Sequence, residues 1–282
     1  MNLTDIRDIK ALQARHGFRF SKSMGQNFLI ADWVPREIAD AAGLDERCAV
    51  LEIGPGIGCL TQQLARRAGR VAAVELDASL LPVLGETLAD CPNAEIIPGD
   101  VMKLDLGSIV SDRFSGFTVK ACANLPYNIT TPVLTRLLES GCFQSITVMI
   151  QKEVAERICA APGDPACGAF SLFCQYYARC ELLFEVLPDC FFPAPKVTSA
   201  VIQMVPLPEP PVPGDRDAIF AVVKAAFAQR RKTLLNALSA AYGSRFSKEQ
   251  LRHIILDCGL PETVRGERLS LEQFSALSIA LC

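Results

Sequence analysis

Four short stretches of the chain carry side chains able to do chemistry, and each closes an apolar run: Leu51-Glu52-Ile53-Gly54-Pro55-Gly56-Ile57-Gly58, Glu75-Leu76-Asp77, Gly99-Asp100-Val101 and Asn124-Leu125-Pro126-Tyr127. Glycines at 54, 56 and 58 let a ligand approach the backbone and leave amides exposed where a helix opens. Taken alone, such a turn is equally a structural feature. Glu75 follows at about the twenty-residue spacing at which an acid accepts hydrogen bonds from ribose hydroxyls. Asp100 adds another acid at the same edge. Two ligands compete for this arrangement, a dinucleotide and S-adenosylmethionine. The dinucleotide pattern is G-x-G-x-x-G, whereas here it is G-x-G-x-G. Glu52 would repel a pyrophosphate but suits a sulfonium or ammonium group. Acids at 52, 75 and 100 around one pocket therefore favour S-adenosylmethionine.

The fourth stretch abuts the expected methyl donor. An exocyclic adenine amine is a poor nucleophile, because its lone pair is delocalised into the ring. The Asn124 side-chain oxygen and a backbone carbonyl, that of Leu125, are placed to accept hydrogen bonds from such an amine. They would stabilise the positive charge that develops on nitrogen in the transition state. Pro126 fixes the loop and adds no competing N–H, and Tyr127 offers a face for a stacked base. The competing reading is an ordinary turn with Tyr127 packed beneath it.

The elements that must position these residues alternate. Strand patterns cover 47–53, 70–77, 94–97, 117–123 and 145–151, with helical patterns at 59–68, 78–88, 131–139 and 152–159. The alternation predicts βαβ units and a mostly parallel sheet. Strands at 180–186 and 199–205 have no helix between them and are expected to form an antiparallel edge hairpin. From Pro206 to Gly214 the chain has five prolines in nine residues, a stiff extended spacer. Beyond it only helical spacing recurs, in Ile219, Phe220, Val223 and Phe227 and in Leu234, Leu235 and Leu238. Ser247-x-x-Gln250 and Ser270-x-x-Gln273 have the form of capping boxes. The expected division is 1–206, a linker at 207–214, and a small all-α domain at 215–282.

Composition narrows the class. The chain has 282 residues, half of them hydrophobic and 21% charged, with a net charge of −3. Disorder is excluded by the apolar content, and no apolar run approaches the ~20 residues of a membrane span. Asp5, Arg7, Asp8 and Lys10 interrupt the region where a signal peptide would be apolar, so a cytoplasmic protein is expected. Twelve cysteines form no C-x-x-C pair and only two histidines occur, His16 and His253. The cysteines are read as small core residues in a reducing compartment, with no metal site. Charge is unevenly spread. Between Asp8 and Asp32 the only charged residues are Lys10, Arg15, Arg19 and Lys22; between Asp217 and Glu249 they are Lys224, Arg230, Arg231, Lys232, Arg245 and Lys248. Two basic patches on an acidic body suit a polyanion, although solvated faces would look the same.

In combination, these motifs resemble the ribosomal RNA adenine dimethyltransferases of the bacterial KsgA type, over nearly the whole chain. Lys22-Ser23-Met24-Gly25-Gln26-Asn27-Phe28-Leu29 is similar to that family's cofactor-covering segment, and the four stretches above follow in its order. Gln151 to Arg157, Phe192-Pro193-Ala194-Pro195-Lys196-Val197-Thr198-Ser199-Ala200, Phe227 to Leu234 and Arg268-Leu269-Ser270 also fit. The resemblance implies a Rossmann-like class I methyltransferase domain of the α/β class plus a C-terminal all-α RNA-binding domain. It implies transfer of two methyl groups to N6 of each of two adjacent adenosines in the 3′-terminal hairpin of 16S rRNA. The cofactor would be S-adenosyl-L-methionine, leaving S-adenosyl-L-homocysteine. By similarity, Gln26, Asn27, Leu29, Glu52, Gly54, Gly56, Glu75, Leu76, Asp100, Val101 and Asn124 line the cofactor site. Asn124, Leu125, Pro126 and Tyr127 would do the chemistry, with Phe191, or its neighbour Phe192, sandwiching the base against Tyr127. Lys22, Arg230, Arg231 and Lys232 would grip RNA. The implied partner is 16S rRNA within an immature 30S subunit, met by a monomer without a membrane. Two rivals stay open, a methylase of one adenine in large-subunit rRNA and a ribosome-assembly or transcription factor that uses the fold mainly to bind. Against the first stand the Gln229-Arg230-Arg231-Lys232 stretch and the Arg268-Leu269-Ser270 tail.

Overall fold

The computed structural model describes residues 1–18, 25–229 and 231–282. In chain order the elements begin with α1 (Ile6–His16), β1 (Phe28–Leu29), α2 (Trp33–Ala41), β2 (Cys48–Ile53), α3 (Cys59–Ala65), β3 (Arg70–Glu75), α4 (Leu81–Thr87) and β4 (Ala94–Pro98). They continue with α5 (Leu106–Arg113), β5 (Thr118–Asn124), α6 (Thr130–Ser140), β6 (Ser145–Gln151), α7 (Lys152–Cys159), α8 (Ala169–Tyr177), β7 (Ala178–Val186), β8 (Phe191–Phe192) and β9 (Ser199–Pro206). Four helices end the chain, α9 (Arg216–Ala228), α10 (Leu234–Tyr242), α11 (Lys248–Asp257) and α12 (Leu271–Ala280). No helix among the described residues is long and apolar enough to cross a membrane.

The chain divides into two compact units, Met1–Ala155 with Cys180–Pro206, and Glu156–Arg179 with Leu207–Cys282. The first holds the sheet, in the order β4-β3-β2-β5-β6-β9-β7. Strands β2 to β6 run parallel, and β9 enters antiparallel to β6, with Ser199 opposite Gln151. All six residues of β2 are buried, as expected of a central strand covered on both faces, and its sequence is accordingly apolar except for Glu52. The chain walks outward from β2 through β3 to β4, then returns to place β5 on the other side of β2. That reversal opens a crevice at the carboxyl ends of β2 and β5, where open α/β sheets take ligands.

Around the sheet, the N-terminal region forms structure that periodicity in the sequence did not announce. Helix α1 is capped by Asp5 and stopped by Gly17 at φ 69°. It buries Ile9 and Leu12 against Leu80, Val83 and Leu84 of the α4 region. Glu86 of α4 clasps its last turn, 2.9 Å from Arg15 and 2.6 Å from His16. Further on, β1 and β8 pair as a separate antiparallel ribbon, Phe28 with Phe192 and Leu29 with Phe191.

The second unit is helical. Val222, Val223 and Ala226 of α9, Leu234 and Leu238 of α10, Leu251 and Ile255 of α11, and Phe274 and Leu277 of α12 share one core. Both expected capping boxes form, with the Ser247 and Ser270 hydroxyls accepting from Gln250 and Gln273 N–H. The division differs from the expected 1–206 and 215–282. Residues 156–179 belong to the helical unit because Cys167, Leu172 and Tyr176 bury in its core. Part of the proline-rich stretch joins it too. Val212 is buried there, and the Pro213 carbonyl accepts from the Ser275 hydroxyl. The stretch is packed against a core instead of standing off as a spacer.

Candidate active site

A cavity of about 230 Å³ lies at the carboxyl edge of the first unit's sheet. Strand β2 contributes Glu52, and the turn after it Gly54 and Gly56. Glu75 and Leu76 come from the end of β3, Asp100 and Val101 from the loop after β4. Asn124, Leu125, Pro126 and Tyr127 close one side, while Gln26, Asn27, Leu29 and Phe191 come from the β1–β8 region. Every expected cofactor-site residue and every expected catalytic residue thus borders one cavity. Phe191, and not Phe192, faces it; Phe192 instead lies under Lys10 Nζ at 5.7 Å. Of the expected RNA contacts, Arg231 and Lys232 are exposed in the second unit, and Lys22 and Arg230 lie outside the described residues.

The acids have distinct environments. Glu75 accepts Asp77 N–H at 2.7 Å on one carboxylate oxygen and Gly56 N–H at 3.3 Å on the other. Burial still pushes its pKa up. Asp100 accepts Met102 N–H at 2.9 Å, which turns the loop after β4 toward the cavity. Glu52 is 1% exposed. Burial, opposed by the Thr61 hydroxyl and reinforced by the negative field of Glu75, pushes Glu52 up to about 8. A buried carboxyl lining a cavity takes its charged form most readily when a cationic donor binds beside it. The ammonium of an amino-acid moiety is such a donor, and Glu75 is spaced for a sugar hydroxyl, so the residues fit S-adenosylmethionine.

Gly56 must be glycine on two counts. Its φ is +61°, and a Cβ there would stand 3.1 Å from Phe28 Cε1. That ring thereby lies directly on the turn. Next to it Gln26 Nε2 donates to Asp77 at 2.8 Å, tying the segment before β1 to the end of β3. Among the described residues, the Asn124 carboxamide and the Leu125 carbonyl have no hydrogen-bond partner, and Leu125 N–H is anchored to Met149 O at 3.1 Å. Both acceptors are left for a ligand.

Gly25 and Phe28, from the segment that resembles the family's cofactor cover, also line the cavity, as do Cys59 and Asn128, to which no motif assigned a role. Cys59, expected in the core, borders the cavity instead. Its thiol is pushed up to about 12 by burial and then by the charge of Glu52, so it stays protonated and is no nucleophile. No histidine or lysine borders the cavity among the described residues.

The ribosomal RNA adenine dimethylase family matches residues 17–275. The chain belongs to that family. It is an S-adenosylmethionine-dependent rRNA adenine methyltransferase. Two curated relatives carry the name ribosomal RNA small subunit methyltransferase A. That of Alkaliphilus metalliredigens is 47% identical, over 95% of this chain and 94% of its own. That of Clostridium perfringens is 46% identical, over 100% and 98%. Among solved structures, a dimethyladenosine transferase from Plasmodium falciparum superposes on the dimethylase with a TM-score of 0.74, covering 88% of this chain and 95% of its own at 23% identity. The 23S rRNA methyltransferase ErmE gives 0.69, covering 90% and 99% at 25% identity. At those identities the first likeness concerns the fold alone.

Proposed function

We propose that this dimethylase transfers four methyl groups to N6 of two adjacent adenosines in the 3′-terminal hairpin of 16S rRNA, as a monomer acting in the cytoplasm on an immature 30S subunit. The chain is a small-subunit rRNA adenine dimethyltransferase. The two adenosines, the hairpin and the assembly state of the particle are the finer part of the reading.

One observation carries the chemistry: Asn124 and Leu125, whose carboxamide and carbonyl are unpartnered, line the same cavity as Glu52 and Tyr127. When bound, S-adenosylmethionine supplies an electrophilic methyl group on a sulfonium. Glu52 holds the ammonium of its amino-acid end, Glu75 its ribose, and the Asp100–Val101 turn its adenine. Tyr127 and Phe191 take the target adenine between their rings, which offsets unstacking at about 1–3 kcal/mol per contact. The adenine must leave its helix to reach them. Asn124 Oδ1 and the Leu125 carbonyl accept the two N6 hydrogens, and stabilise the nitrogen as it turns tetrahedral and positive. After transfer N6 carries a proton acidic enough to pass to water, so no strong base is required. With one hydrogen replaced by methyl, rotation about the C6–N6 bond still offers the other, and a second transfer can follow.

The identities of 46–47% to small-subunit enzymes, against 25% to the large-subunit enzyme ErmE, favour the small subunit over the rival target. The test incubates the purified protein and S-adenosylmethionine with immature 30S particles and with large-subunit rRNA, followed by mass spectrometry of the nucleosides. Dimethyladenosine at two neighbouring positions of 16S rRNA alone is the expected result; product in large-subunit rRNA overturns the assignment. An assembly factor that merely uses the fold would show RNA binding with no methylated product.

A further inference from the structure

The hydroxyl of Tyr127 lies 2.7 Å from that of Ser199, across 72 residues of chain. The two ends of this contact are held very differently. Ser199 opens β9 and is fully buried at 0% exposure, opposite Gln151 in the ladder with β6. The carbonyl before it, Thr198 O, accepts Lys152 N–H at 3.0 Å. Its position is therefore set by the sheet. Tyr127, by contrast, begins a single 3-10 turn after Pro126, on the loop that Leu125 ties to β6. The Tyr127 ring borders the cavity, and Ser199 does not.

An aromatic side chain has two free torsions, and a stacking face helps only if its plane is set before the base arrives. A hydrogen bond at the phenol oxygen acts at the far end of the ring, where a small angular error about Cβ becomes the largest displacement. It is the most effective place to fix the ring with one contact. The bond also crosses over β6, so that the loop after β5 is braced against β9 at the point where the base must lie.

We infer that Ser199 is a positioning residue for methyl transfer, holding the Tyr127 ring in the plane on which the target adenine stacks. The inference rests on the reading of Tyr127 as the base platform. Ser199 touches neither substrate nor cofactor and acts only through the phenol.

The experiment compares wild type, Ser199→Ala, Ser199→Thr, Tyr127→Phe and the double variant Tyr127→Phe/Ser199→Ala. It measures kcat and KM for RNA, cofactor Kd, and fluorescence of RNA carrying 2-aminopurine at the target position. Ser199→Ala and Tyr127→Phe should each lower kcat about three- to tenfold, the worth of one neutral hydrogen bond. Cofactor Kd should not move, stacking quench of 2-aminopurine should weaken, and Ser199→Thr should retain wild-type kcat. The double variant should be no slower than either single one, because both remove the same bond. Tyr127→Phe leaves the sheet untouched, so a folding defect in Ser199→Ala cannot imitate its result. Wild-type kcat in Tyr127→Phe, or losses that multiply in the double variant, overturns the inference while leaving the methyltransferase reading intact. A wild-type protein that does not methylate the RNA overturns both.

Discussion

Asn124 offers unpartnered amide atoms at the cavity and Glu52 a buried carboxyl, and both yield tests. Replacing Asn124 by Ala removes one of two acceptors for the attacking amine. Methylation should fall by at least about 100-fold, the cost of deleting one preorganised transition-state contact, while cofactor and RNA still bind. Retained binding with lost product, measured by filter binding and nucleoside mass spectrometry, separates chemistry from docking. Glu52 gives a pH signature. Its carboxyl is pushed from 4.5 in the unfolded chain up to about 8 by burial, so the folded protein holds the proton longer. The stability this contributes is complete below the unfolded value and disappears as pH rises through the folded one. Without cofactor, the melting temperature should decline between about pH 5 and 8, and Glu52→Gln should flatten that decline in scanning calorimetry. Equal slopes in the two proteins would place the linkage on another group.

At the scale of elements, the pieces with local chemistry were readable and those held by distant partners were not. The Ser247 and Ser270 capping boxes formed as spaced, because a cap is a contract between residues three apart. Ser247→Ala or Ser270→Ala should each cost about 1 kcal/mol of stability, seen as a lower denaturant midpoint. The central strands were equally plain, since burial on both faces forces continuous apolar runs. The two-residue ribbon of β1 and β8 left no pattern, yet it places Leu29 and Phe191 at the cavity. The turn after β2 ties the two levels together. In Gly56→Ala the positive φ and the Phe28 ring act in the same direction, so cofactor affinity should drop while the sheet persists; calorimetric titration measures it.

Across the whole molecule, the uneven charge is the feature to test. Arg231 and Lys232 are exposed in the helical unit, within a stretch free of acids from Asp217 to Glu249. Substituting Arg230, Arg231 and Lys232 with Ala should weaken RNA binding and reduce the slope of log affinity against log salt by up to about three. An unchanged slope would assign the phosphate contacts to other bases. The division of the chain shows what local pattern misses at this scale. Residues 156–179 follow the fifth parallel strand in sequence but bury Leu172 and Tyr176 with α9 to α12.

Residue order was enough for whatever depends on neighbours along the chain: parallel βαβ order, the glycine turn, the acids ending successive strands, and the caps of the last helices. Those features follow from steric and hydrogen-bonding rules that act within a few residues. Only folding settled which phenylalanine faces the cavity, that Cys59 borders it, that the Glu52 carboxyl is buried there, and that Ser199 meets Tyr127. Each of these depends on how surfaces distant in sequence exclude water and one another, a property that no spacing of residues encodes.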